Sequence, residues 1–586
     1  MGDRHMTQTP DEDHGIRVSL ALTGAIAGLA LWLLLDKVPD LLENARLVLM
    51  LTTVGMGFFG VLLGLLGPAR LTRALLAAVV LSLPAAGLFV WASFRFDDPG
   101  AFVESGHSVL ALMSILVVGT PFAAACLSRQ GGWKDYGLLF DLAWTITIRY
   151  VAAGLFVGIV WAVLMLSNAL LSLVGVTIID QLIDLEPAPW LLSGLALGLG
   201  LAIVHELRDY VSPFLIIQLL RVLLPFLLVV LAIFIVALPF QGLSGLFGGL
   251  SPAATLASVA FAGITLVTSA VHMSDDAAVQ GALLRRSAQA LAVLVAVPAA
   301  LAVYAVVIRV STYGLTPDRV AALSAALIVL AYAVCYAVAV LMRGGWTARI
   351  RNVNLALALG LIGVSALWLT PVLNAERMSV SSQVARAEAG AEIEKLPLWE
   401  MAHDWGIAGI AGLDRLRGLD DREDHAALVA RIAEAEAIDY KYQFTQGAPV
   451  PDQGPLDGRV TLRPVGMTLP EGAFDRLSPS DRTLIAQGCD RTLPEGGAAC
   501  VIVLADYDPQ NTYVQGIGFF LTDNGWVRAM GFELREGSIF NTGNIGGDIA
   551  GIDAAFMQEV VDGAFEIKSR PRNVLDVGGK VFFPDN

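Results

Sequence analysis

His205, Glu206, Arg208 and Asp209 are the densest group of ionisable side chains near any apolar segment of the chain. An imidazole beside two carboxylates and a guanidinium can relay a proton or hold a polar ligand. At the edge of an apolar run these four can also satisfy one another and water, and a solvated interfacial network is the expected arrangement. Asp506, Asp508 and Asn511 present oxygen ligands in the manner of a calcium loop. Such a loop needs Gly at its sixth position for the sharp turn, and Asn511 stands there instead, so a polar hairpin turn is expected. Cys489 and Cys500 bracket the short loop from Asp490 to Ala499. A pair of this kind suits a disulfide in an oxidising compartment, the alternative being two unpaired buried thiols; metal spacing of the CxxC type is absent.

Other chemistry is scarce. The chain has no GxSxG nucleophile elbow, no HExxH zinc motif and no Walker loop. His403 with Asp404, and Asp424 with His425, are neighbours on expected helices, where adjacent residues face different ways, so solvated surface is expected over a catalytic dyad. Gly543, Gly546 and Gly547 precede an expected helix whose N-terminus could attract an anion, but Asp548 in that mouth favours a plain turn. The sequence calls for no cofactor, and the missing nucleophile and metal sets argue against an enzyme.

The elements that must carry these residues fall into two halves. Hydrophobic residues make up 56% of the chain and charged residues 16%, far from the average of a soluble domain. From Val18 to Leu373 the chain alternates apolar runs of bilayer length with short loops, which is the pattern of a polytopic membrane protein. Eleven spans are expected, from Val18–Leu35 to Val353–Leu373. They include Tyr150–Val174, Ala290–Ile308 and Trp190–Val204, the last short for a span. Residues 1–17 form a cytoplasmic tail that opens with an expression scar, Met1 to His5, and 18–373 form the bundle.

Short loops rich in Lys and Arg stay on the cytoplasmic side. Alternate loops carry Arg70 and Arg73, then Arg129, Lys134 and Arg149, then Arg208 and Arg221, then Arg285 and Arg286, then Arg343, Arg349 and Arg351; the intervening ones are poorer. With an odd number of spans this predicts a cytoplasmic N-terminus and a tail on the far side, in the same oxidising space that Cys489 and Cys500 suit.

Within the bundle an acid recurrently leads to a basic residue at the next span: Asp135 to Arg149, Asp209 to Arg221, Asp276 to Arg286, with Arg351 lacking an acidic partner. A repeat of two-helix units would give this pattern, but interfacial helices followed by retained basic residues produce it without any duplication and are the expected reading. The span centres contain no acid or His of the kind that coupled transport uses. Ser167, Asn168, Thr265, Thr268 and Ser269 are the most polar interior positions, and interhelical hydrogen bonding is their expected role. Gly194 and Gly198 fit small-xxx-small helix packing.

The net charge of -15 lies almost wholly beyond Asn374, and an acidic tail does not suit nucleic acid or an anionic lipid surface. Residues 374–444 read as a helical extramembrane segment, with helices over Ala375–Glu394, Leu396–Leu419 and Asp421–Ala437. Residues 445–458 read as a Gly- and Pro-rich linker. Residues 459–586 read as a small periplasmic α+β domain with an antiparallel sheet. Its strands are expected at Arg459–Val465, Ala499–Ala505, Tyr513–Leu521, Trp526–Leu534 and Lys580–Phe583, with a hairpin turn at Asp523-Asn524-Gly525 and a helix at Ile552–Val561.

One loop, Tyr313-Gly314-Leu315-Thr316-Pro317-Asp318-Arg319, has the form of a strong helix start: Thr316 as N-cap, Pro317 in the first position and Asp318 in the first turn. With the many spans and the C-terminal soluble domain, this loop resembles a family of bacterial polytopic membrane proteins known as domain of unknown function 4153. The resemblance implies a bacterial inner-membrane location and carries no activity, cofactor or catalytic residue. The expected function is a bundle that anchors a periplasmic binding or sensing domain, with an envelope component or a protein as partner besides the lipid bilayer. The alternative is a transporter or lipid-handling protein with the tail as accessory. A cavity reaching the middle of the bundle would favour the alternative, and a solidly packed bundle the anchor.

Overall fold

The computed structural model describes residues 10–66, 71–128, 131–206, 213–241, 252–342, 344–438, 440–445, 456–494, 496–507, 513–522, 526–535, 537–543, 545–547, 552–569, 573–577 and 580–584. The chain divides into two compact units, Met1–Ala437 and Ile438–Asn586.

The first unit is helical. Its membrane-length helices are α1 (Arg17–Leu41), α2 (Ala45–Leu65), α3 (Leu71–Ser93), α4 (His107–Leu127), α5 (Tyr136–Ser172), α7 (Ile216–Phe240), α8 (Pro252–Val271), α9 (Ala282–Tyr313), α10 (Pro317–Leu341) and α11 (Trp346–Trp368). These ten among the described residues are long and apolar enough to cross a membrane. The chain is therefore a multi-pass membrane protein. Between α5 and α7 lies α6 (Ala188–Glu206), where the sixth expected span, Trp190–Val204, appears only as a shorter apolar helix, Ala188–Val204.

Helix α6 is held by α1 through glycines that let the two backbones touch. A Cβ on Gly194 would stand 2.2 Å from the Gly24 carbonyl, and one on Gly198 would stand 2.3 Å from that of Leu20. Gly28 meets the Trp190 carbonyl at 2.1 Å in the same way. Both helices thus carry a Gly-xxx-Gly face. Ion pairs clip the two ends, Arg17 with Glu206 at one and Lys37 with Glu186, at 2.5 Å, at the other.

Several helices depart from their expected limits: α7 and α11 begin six and seven residues before Val222 and Val353, and α5 and α9 differ more instructively. Helix α5 starts at Tyr136, capped by Asp135, whose side chain accepts from the Leu138 N–H. Its 37 residues make it about 55 Å long at 1.5 Å per residue, so the segment expected to precede the fifth span is the span's own first turns. Helix α9 begins eight residues before Ala290 and breaks at Val295. Pro298 cannot donate to the carbonyl four residues back, which accounts for the break.

Outside the bundle the same unit continues as α12 (Ala375–Glu388), α13 (Leu398–His403), α14 (Gly406–Arg417) and α15 (His425–Ala437). The single helix expected over Leu396–Leu419 is split, because Gly406 adopts a positive φ of 54° and approaches the Arg95 carbonyl too closely for any side chain.

The second unit holds a five-stranded sheet in the order β1 (Thr461–Arg463), β2 (Cys500–Ala505), β3 (Val514–Leu521), β4 (Val527–Arg535), β5 (Ser538–Gly543). It is antiparallel except that β1 pairs parallel to β2, so the sheet is mixed. A second sheet joins β6 (Ile545–Gly547), β9 (Lys580–Pro584), β8 (Asn573–Val577) and β7 (Glu566–Ser569). Side chains alternate along a strand, and β2 shows the consequence. Val501 and Val503 pack with Met557 and Val560 of α17 (Ala554–Asp562), whereas Ile502 and Leu504 pack with Ile485 and Ala486 of α16 (Pro479–Cys489). The disulfide Cys489–Cys500 joins the end of α16 to the start of β2. The expected turn Asp523-Asn524-Gly525 lies outside the described residues, but Leu521 and Val527 on either side are paired as in an antiparallel hairpin.

Candidate functional site

The helix bundle is not packed solid. A cavity of about 930 Å³ lies among α2, α4, α5, α8, α10 and α11, lined by their middle turns, including Gly60, Leu116, Ile264, Val329 and Ala358. Val117 and Phe261 on its edge are largely exposed, at 66% and 64%, so the cavity opens onto the apolar outer face of the bundle.

Its walls are mainly aliphatic and aromatic, and four of its polar side chains form one connected group. Asn354 of α11 donates to the Tyr136 hydroxyl of α5 at 3.0 Å and accepts from the Tyr336 hydroxyl of α10. Tyr336 also meets the Thr268 hydroxyl of α8 at 2.7 Å. Four helices are thereby joined by one chain of side-chain hydrogen bonds, each satisfying a group that lipid could not. Trp144, Thr147 and Tyr332 also face the cavity, and their side-chain donors have no hydrogen-bond partner among the described residues. A mostly apolar pocket of this size with a few convergent polar groups fits the usual form of a small-molecule site, roughly 300–1,000 Å³.

At one end of the bundle is a buried charge cluster. Glu376, near the start of α12, is 1% exposed; its carboxylate lies 3.3 Å from His107 Nε2 and 3.5 Å from Arg95 Nη1. Trp368 Nε1 donates to His107 Nδ1 at 3.2 Å, which leaves the imidazole proton on Nε2, facing the carboxylate. Burial alone would raise the Glu376 carboxyl; contact with His107, its own backbone N–H and Arg95 outweigh burial and hold it below its ordinary value. Arg95 Nη2 donates to the Trp368 and Thr370 carbonyls, both at 2.6 Å.

Arginine in that role recurs through the bundle. Arg149 donates to the Leu66 carbonyl at 2.8 Å, Arg221 to those of Ser269 and Ala277 at 3.0 and 2.7 Å, and Arg351 to that of Val271 at 3.0 Å. Each fills orphan carbonyls where a neighbouring helix ends. The alternation of acid and base along the sequence is thus two unconnected devices: Asp135 caps its own helix, and Arg149 caps another. Arg351, expected to lack an acid, has Asp275 at 2.9 Å.

The residues singled out from sequence are not assembled into a site. Glu206 is paired with Arg17; the side chain of His205, and Arg208 and Asp209 altogether, lie outside what is described. Asp506 follows β2, while Asp508 and Asn511 lie outside the described residues, which include no cluster of three or more His, Cys, Asp or Glu fit to hold a metal. His403 bonds the Ala435 carbonyl at 2.9 Å and stacks on Trp399, and Asp424 pairs with Arg422, so neither adjacent pair is a dyad. Gly543 and Gly546 sit in β5 and β6, and α17 is capped by Asp553, which accepts from Phe556 N–H. Thr268 joins the polar chain beside the cavity, whereas Tyr136, Tyr332, Tyr336 and Asn354 were not foreseen. The i, i+4 spacing of Tyr332 and Tyr336 within an apolar run was the available signal.

Ten membrane-length helices among the described residues, six of them around an apolar cavity, followed by an α+β unit, define a polytopic membrane protein with an appended extramembrane domain. The family described as Domain of unknown function (DUF4153) matches over residues 71–398, more than half of the chain and from α3 to the start of α13. The chain belongs to that family. No curated protein and no solved structure matches it.

Proposed function

We propose that this is a bacterial inner-membrane protein whose bundle receives one amphipathic, lipid-like molecule in the cavity among α2, α4, α5, α8, α10 and α11. The single observation carrying the reading is that the cavity is apolar along its walls, open to the lipid-facing surface, and furnished with the unpartnered donors of Trp144, Thr147 and Tyr332. An acyl chain fits the walls, and a hydroxyl or ester oxygen fits the donors. A solid bundle would have supported a plain anchor for a sensing domain; the cavity favours lipid handling, with the C-terminal unit as accessory. The alternating basic loops support a cytoplasmic N-terminus and a periplasmic C-terminal unit, as does the disulfide between Cys489 and Cys500.

The test is extraction of the purified full chain followed by mass spectrometry of bound amphiphiles. One retained molecule per chain is expected, lost on Ala325→Trp or Ala358→Trp, which fill the cavity, and weakened by Tyr332→Phe. A wild-type chain that retains nothing, or filled variants that retain as much as wild type, would overturn the reading. Labelling of single cysteines placed next to Arg73 and near the C-terminus tests the orientation: they should react from opposite sides of a sealed vesicle.

A further inference from the structure

A second cavity, of about 560 Å³, lies at the end of the bundle that holds Glu376 and shares no residue with the first. Its walls are the last turn of α3, the turn between α11 and α12, and one face of α14. Three of the lining residues are Arg95, Arg377 and Arg415, and no Asp or Glu is among them.

The charge balance of this cavity is unusual. Arg95 is nine-tenths buried and shares its carboxylate neighbour, Glu376, with His107: one carboxylate oxygen lies 3.5 Å from Arg95 Nη1 and the other 3.3 Å from His107 Nε2. Its Nη1 has no hydrogen-bond partner. Arg377 is close enough for its charge to act unfavourably on Arg95. The guanidinium groups of Arg377 and Arg415 have no hydrogen-bond or ion-pair partner among the described residues, and Asp414, next to Arg415, is paired with Arg417 at 2.8 Å. Arg95 has Glu376 as counter-charge, but Arg377 and Arg415 bring two uncompensated charges to the same hollow, and guanidinium forks suit the oxygens of a phosphate. Thr370, Asn374 and Ser381 add further polar side chains to the same walls. Trp91, Phe94 and Ile407 at its lining are exposed apolar groups, 53%, 58% and 46% accessible, which suits a site whose ligand continues into a hydrocarbon tail.

We infer that the cavity between α3, α12 and α14 is a binding site for a phosphate-like oxyanion, held by Arg377 and Arg415 with Arg95 in its wall. A lipid headgroup and free phosphate share this chemistry. The inference stands apart from the lipid-like occupant of the central cavity, since the two sites have no residue in common.

Isothermal titration of the full chain in neutral detergent tests it, with three probes: short-chain phosphatidic acid, short-chain phosphatidylcholine and inorganic phosphate. Saturable binding of phosphatidic acid, stronger than that of inorganic phosphate, assigns a lipid headgroup. Equal binding of inorganic phosphate, competing with the lipid, assigns a free oxyanion; both support the site. The Arg377→Gln, Arg415→Gln double variant should weaken the favoured probe at least about tenfold with an unchanged melting temperature. Ile407→Glu, which brings a carboxylate to the cavity, should do the same by repulsion. Absence of binding by either phosphate probe, equal binding of phosphatidylcholine, or binding indifferent to both variants would overturn the inference.

Discussion

The Glu376 carboxylate lies 3.3 Å from Nε2 of His107, so the first helix outside the bundle is tied to the first residue of α4. Arg95 completes the tie from the end of α3, and its Nη2 group caps α11. A charge cluster this deeply buried is weak support for stability when intact, but losing one member leaves the others unbalanced.

Glu376→Gln should therefore cost about 3 kcal/mol at neutral pH, toward the lower end for one lost partner of a buried pair. The carboxyl is held below its ordinary value of 4.5 in the folded chain, so its contribution is complete above about that pH. As pH falls through the depressed folded value the carboxylate protonates and the contribution disappears. Melting temperatures of wild type and variant at pH 7 and across pH 5 to 3 check this: the gap should narrow only on the acid side. An equal gap at all pH values would show that Glu376 does not act as an anion.

The contact of α1 with α6 leaves no room for side chains. Gly194→Ala places a Cβ 2.2 Å from the Gly24 carbonyl and should cost about 3 kcal/mol or more through forced separation of the helices. Gly158, in the middle of α5, has open space around its Cβ position. Gly158→Ala should be neutral or stabilise by up to about 1 kcal/mol, since Ala is the better helix former. Thermal stability in one detergent compares them directly, and equal effects would refute the close approach.

How much of this was legible beforehand depended on the range of the interaction. Runs of apolar residues are local, so the eleven apolar segments, including α6, appear near their expected places. So does the Thr316 cap, where the side chain accepts from Arg319 N–H at 3.3 Å. The Cys489–Cys500 bond is readable because its ends are close in sequence, at a separation of 11. The cavity was not readable, because its polar atoms come from α5, α8, α10 and α11, whose adjacency no local pattern encodes. Arg95, His107 and Glu376 were passed over for the same reason: each sits at a helix end, where a charged residue looks ordinary until its partner is known. In the second unit β5, β6, β7 and β8 carry no strand signal in the sequence, being short segments without a clear alternating apolar pattern, and the parallel pairing of β1 depends on a crossover through α16.

Cys489 and Cys500 are bonded, and closing so short a loop restricts the unfolded chain by about 3 kcal/mol. Replacement of both by Ser in the full chain should lower the stability of the second unit by about that amount. Thiol labelling of unreduced protein taken directly from cells should find Cys126 and Cys335 free after denaturation, and the other two blocked. Four reactive thiols would contradict the bond.

The loop from Tyr313 to Arg319 does two jobs, which can be separated by mutation. Thr316, Pro317 and Asp318 start α10, and Thr316→Ala should cost about 1 kcal/mol through the lost cap. Tyr313, Gly314 and Leu315 instead receive α12: the Gln383 amide donates to the Tyr313 and Leu315 carbonyls at 3.0 and 2.7 Å, and Ser382 accepts from Leu315 N–H at 3.0 Å. Gln383 is fully buried and Gly314, at φ 72°, leaves no space beneath it for a side chain. Gln383→Ala removes the side-chain donor to the Leu315 carbonyl, while the Tyr313 carbonyl keeps Arg386 and Arg319; with the packing lost at a fully buried position it should cost about 2–3 kcal/mol, more than Thr316→Ala. Scanning calorimetry of the two variants in the same detergent gives the order directly. Neither change touches the central cavity, so amphiphile retention per folded chain should stay at the wild-type level in both. A larger loss for Thr316→Ala would place the weight of this loop in the helix start and not in the docking of α12. Loss of retention without loss of stability would make the loop part of the binding machinery.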